Sequence, residues 1–68
     1  MKNTKTAQQV LDSLTFSEVD ARLQPDTRDM MRRERFSLRA AMDSGDVAKI
    51  AEAKEEAVRV ATMWGVSL

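Results

Sequence analysis

Four arginines recur at intervals of four, three and four residues: Arg28, Arg32, Arg35 and Arg39. On a helix that advances about 100° per residue they fall within about 60° of one another and form one line of guanidinium groups. A guanidinium is a planar fork of donors that grips carboxylate or phosphate bidentately, so the chemistry open to this line is the binding of anions. Phe36 stands about 80° from the centre of the line, and an aromatic ringed by arginine has the composition of an interface hot spot. The partner-binding candidates are therefore Arg28, Arg32, Arg35, Phe36 and Arg39.

The line needs compensation. Like charges three and four residues apart repel by a few tenths of a kcal/mol per pair, and Asp29 and Asp43 relieve only the ends. Arg33 points elsewhere and is expected to pair with Asp29, four residues before it. Two sources of compensation are open: the acidic cluster Glu52, Glu55 and Glu56 of the same chain or of a second copy, or an anion presented by an outside partner. Five of the seven arginines and none of the four lysines lie between residues 28 and 39, a bias toward bidentate recognition.

Little other chemistry is available. The chain has no histidine, cysteine or tyrosine, which excludes disulfides, zinc fingers, imidazole and thiolate catalysis, and Glu-x-x-His metal sites. No glycine-rich phosphate loop or EF-hand pattern occurs. The remaining serines and threonines fall mostly at expected helix caps, and the carboxylates at solvated positions. No catalytic residue, metal ligand or cofactor is assigned, no small-molecule substrate is expected, and the chain reads as non-enzymatic.

The elements that position the arginines follow from punctuation and periodicity. Only two glycines and one proline interrupt a chain rich in helix formers, with no alternating strand pattern, so the fold class is all-α. Residues 1–5 are expected to be a flexible N-terminus, and 6–24 an N-terminal helical region. Thr6 followed by Gln9 is a capping box, predicting a helix over about 7–14 with Val10, Leu11 and Leu14 inward. Ser17 is expected to cap a short further segment, with Asp20 in its first turn and Phe16 packing back, ending by about Leu23 ahead of Pro25. Asp26 or Thr27 then caps a long helix to about Asp43. Gly45 ends it and Asp46 caps a last helix from about 47 to 64.

A connection that short predicts that residues 26–64 form an antiparallel αα-hairpin. The expected architecture is one domain over 1–68: a small three-helix or four-segment unit built on that hairpin, dimeric. Met30, Met31, Leu38, Ala41 and Met42 form the inward face of the first hairpin helix. The last helix is apolar over half its circumference, through Val47, Ile50, Ala53, Ala57, Val58, Val60, Ala61 and Trp64. Ile50, Ala53, Ala57, Ala61 and Trp64 are its core or dimer interface, since alanines every four residues let a second backbone approach closely.

Sixty-eight residues support only about 3–5 kcal/mol of core stability, and with no disulfide or metal available a homodimer is expected. Lysine plus arginine and aspartate plus glutamate both total 11, so no global field draws the chain to nucleic acid or membrane. No leader or membrane span is apparent, and the expected location is the cytoplasm. The leading functional reading is a small regulatory or inhibitory protein, of a size and style that suit a phage or plasmid product, docking the arginine-edged helical face on a protein partner. One alternative takes residues 16–42 as a helix-turn-helix transcriptional regulator with the arginines on phosphates and guanine edges. Against it stand Asp26, Asp29 and Glu34 in the same helix. Another is an oligomeric assembly or scaffold subunit.

Overall fold

Thr6 opens the first helix as its spacing predicts. Its backbone N–H donates to Gln9 Oε1 at 2.9 Å and its hydroxyl oxygen accepts from the Gln9 N–H at 3.2 Å, closing the capping box. The computed structural model describes residues 5–68 and contains three helices: α1 (Ala7–Glu18), α2 (Pro25–Ser44) and α3 (Val47–Met63), with no strand among the described residues. The flexible terminus expected at 1–5 lies, for residues 1–4, outside the described range.

Two punctuation marks set the boundary between α2 and α3. Gly45 closes α2 at φ 70°, a left-handed conformation that glycine adopts without steric cost, and its N–H donates to the Met42 carbonyl at 3.2 Å. Asp46 then accepts from the Ala48 and Lys49 N–H groups at 3.0 and 3.3 Å, satisfying two donors that open α3. A second glycine, Gly65 at φ 77°, follows α3 and turns the chain so that the Val66 N–H reaches the Ala61 carbonyl at 2.8 Å. That turn buries Val66.

The helices pack on one another around a single apolar cluster. Val10, Leu11 and Leu14 come from α1, Met31 and Leu38 from α2, and Ala57 and Ala61 from α3. Leu14, Met31, Leu38 and Val10 are the largest fully buried side chains, each contributing about 1.5–3 kcal/mol of transfer free energy. Met30 and Met42 pack partly buried against them, so the methionine-rich face of α2 is core. The molecule measures 33 × 25 × 15 Å along its principal axes.

The N-terminal region differs from expectation. α1 does not stop near residue 14 but continues to Glu18, and the short capped segment after Ser17 does not form. Ser17 is instead buried within α1, and Phe16 sits in the last turn of α1, facing solvent rather than packing back. The reason lies in the loop. Asp20 accepts from the Arg22 N–H at 3.0 Å and from the Arg22 guanidinium, an Asx-type turn that competes with helix at 19–24. α2 likewise starts two or three residues early: Pro25 occupies its first turn, Gln24 holds the N-cap position without a side-chain bond, and Asp26 and Thr27 lie inside the helix rather than capping it.

Candidate docking surface on α2

The arginine line runs along the edge between the buried and exposed sides of α2, and the structure divides it. Arg28 and Arg35 are half-buried, while Arg32 and Arg39 are exposed. Arg35 reaches across to α1, where Nη2 donates to Glu18 Oε1 at 3.1 Å and Nε donates to Oε2, a fork-on-carboxylate pair. The bonds to Glu18 hold the Arg35 guanidinium in its charged form more firmly than usual. Arg28 lies beside Asp20 in the α1–α2 loop, with its Nε buried and lacking a hydrogen-bond partner. Asp20 itself is held below the usual carboxylate range, first by its hydrogen bonds from Arg22 and to a smaller extent by the Arg28 charge.

The exposed pair finds only local partners. Arg32 meets Asp29 at 3.2 Å and Arg39 meets Asp43 at 3.2 Å. Asp29 thus pairs with Arg32, three residues on, and not with Arg33 as its spacing suggested. These are solvent-exposed contacts of about 0.3–0.5 kcal/mol, readily exchanged for others.

The acidic cluster of α3 does not reach the arginines. Glu34 is the α2 residue that feels it: burial first, and the nearby Glu56 charge second, push the Glu34 carboxyl above its usual value. Glu34 lies about 130° round α2 from the centre of the arginine line. α1 thus meets one flank of α2 and α3 the other, and Glu18 of α1 is the carboxylate that the sequence pattern did not single out. Its signal was weak, since nothing local marks a residue 17 positions before its partner.

Phe36 is 60% exposed on the outward side of α2, and the Arg35 guanidinium lies 4.7 Å from its ring centroid. Glu18 holds Arg35, Arg35 covers one face of the ring, and Arg32, Arg33 and Arg39 stand exposed around it. Four of the five partner-binding candidates, Arg32, Arg35, Phe36 and Arg39, therefore share one surface, while Arg28 turns toward the loop. Of the α3 candidates, Ala57 and Ala61 are fully buried in the core, Ile50 and Ala53 half-buried, and Trp64 41% exposed. The surplus apolar surface of α3 shrinks to Val47 at one end and Met63 with Trp64 at the other.

Among the described residues no group of three or more histidine, cysteine, aspartate or glutamate side chains could hold a metal ion, and no helix is long and apolar enough to cross a membrane. No protein-family model, no curated protein and no solved structure matches this chain.

Proposed function

We propose that this chain is a small non-enzymatic regulatory or inhibitory protein of the cytoplasm that docks the outward face of α2 on a protein partner. The observation that carries the reading is Phe36, exposed at the centre of three exposed arginines and stacked by a fourth that an interhelical carboxylate anchors. A single exposed ring is ordinary on a protein surface, and Phe16 is as exposed; what sets Phe36 apart is the ring of arginines around it. Arginine beside an aromatic anchor supplies the polar rim of a protein interface, and a partner with carboxylates around an apolar spot would satisfy both. The reading also takes α2 and α3, joined by two residues, as an antiparallel hairpin and the chain as one that forms a homodimer.

A protein suits this face better than a nucleic-acid duplex. Arg35 is committed to Glu18, and Asp29 and Asp43 place negative charge at both ends of the exposed surface, where a phosphate backbone would have to pass.

Crosslinking capture from the native host tests the proposal. Wild-type chain, the Arg32→Glu/Phe36→Ala double variant, and Gln8→Ala on the exposed side of α1 are compared. A protein captured by the first and third and lost with the second supports docking through α2; equal capture by all three rejects it.

A further inference from the structure

Two faces of this one chain carry opposite charge patterns that the fold keeps apart. Along the outward side of α2 the order is acid, base, base, phenyl, base, acid: Asp29, Arg32, Arg33, Phe36, Arg39 and Asp43. Along α3 the order is reversed in sign: Lys49 and Arg59 flank Glu52, Glu55 and Glu56, and with Ala53 these residues line an open depression of about 380 Å³. A patch of arginines around a ring on α2 therefore has its charge counterpart in a shallow depression lined by glutamates and Ala53 on α3. Within one chain they cannot meet, because α3 contacts α2 on the flank turned away from the arginines. None of Glu34, Glu52, Glu55 and Glu56 makes an ion pair among the described residues.

We propose that the occupant of the α2 face is a second copy of this chain: Phe36 of one copy seats over Ala53 of the other, with Arg32, Arg33 and Arg39 set against Glu52, Glu55 and Glu56. The inference rests on the reading of α2 as a docking surface and names its occupant. Charge complementarity selects an identical chain over an unrelated one. The 11 basic and 11 acidic residues cancel, so two copies approach without net repulsion while their patches attract. Each copy offers both faces, which point apart, so the contact is head-to-tail: it makes a pair first and can add further copies. An outside partner for the same face must then displace the copy, so self-association stores the chain with Phe36 masked.

Sedimentation equilibrium at low salt, from micromolar to millimolar chain, tests this with a charge-swap pair. One variant carries Arg32→Glu and Arg33→Glu, the other Glu52→Arg and Glu56→Arg, with helicity of each checked by circular dichroism. Expected is a wild-type mass rising from one chain to two or more and falling back as salt is added. Each swapped variant alone stays at one chain, and their equimolar mixture regains association. Phe36→Ala, a milder change that leaves the core untouched, weakens association by about tenfold or more. A wild-type chain that remains single at millimolar concentration, a dimer indifferent to Phe36→Ala, or a mixture of folded variants without rescue overturns the proposal. A single-chain mass alongside host capture lost in the Arg32→Glu/Phe36→Ala variant removes the second copy only. Self-association with no such capture removes the outside partner only.

Discussion

Arg35 of α2 grips Glu18 of α1 with two donors, and this pair is the only ion pair between helices among the described residues. It fixes the α1 flank of α2 and at the same time places a guanidinium over the Phe36 ring. Structure and proposed docking surface therefore share one side chain. Removing Glu18 leaves the half-buried Arg35 charge without its acceptor, which is worse than removing both partners. Glu18→Ala is expected to lower the melting temperature more than Arg32→Ala, whose pair with Asp29 is exposed. The Glu18→Ala/Arg35→Met double variant should recover part of the loss. Thermal unfolding of the four chains checks this, and equal effects of Glu18→Ala and Arg32→Ala would show that the interhelical pair contributes nothing special.

Leu38 lies fully buried between the three helices. Leu38→Ala should cost about 2–5 kcal/mol, comparable to all the stability a domain of this size holds, so the variant is expected to be largely unfolded at 25 °C by circular dichroism. Phe36→Ala, by contrast, should leave the melting temperature within a few degrees of wild type, because the ring touches water rather than core.

At the α2–α3 boundary, a methyl group added to Gly45 would meet no atom within 4 Å, so crowding plays no part there. Gly45→Ala should nonetheless cost about 1–2 kcal/mol, because φ 70° is unfavourable for any residue with a Cβ. Asp46→Ala should cost about 1 kcal/mol through the loss of the α3 cap. Urea unfolding of both variants reads these values, and the slope of the transition should not change.

Glu34 supplies one part of the pH dependence, opposite in sign to that of Asp20. Burial, and then Glu56, raise its carboxyl above the ordinary 4.5, so the folded state binds this proton more tightly than the unfolded chain does. The stability this proton contributes is fully present below about pH 4.5 and is lost as pH rises through the raised folded value. Glu34→Gln is therefore expected to melt higher than wild type at pH 7, with the gap closing as pH falls through the carboxylate range. A gap that stays constant from pH 7 to pH 4 would show that Glu34 is not perturbed in the fold.

The three helices were legible from punctuation because their signals are local. The capping box at Thr6, proline at 25, glycine at 45 and aspartate at 46 each act on backbone groups within four residues. The segment at 15–24 was misread for the same reason in reverse: Ser17 resembles a cap locally, but the turn built on Asp20 and the burial of Ser17 against the core let α1 run on to Glu18.

By itself the sequence determined the helical class, the boundary between α2 and α3, the buried methionine face and the existence of one guanidinium line, since periodicity and capping depend on neighbours in the chain. Only the tertiary structure decided which carboxylate answers the line. The pairing of Arg35 with Glu18 rather than with Glu52, Glu55 or Glu56 depends on which flank of α2 each neighbouring helix covers. That choice belongs to the packing of three apolar stripes around Leu14, Met31 and Leu38, and no spacing along the chain records it.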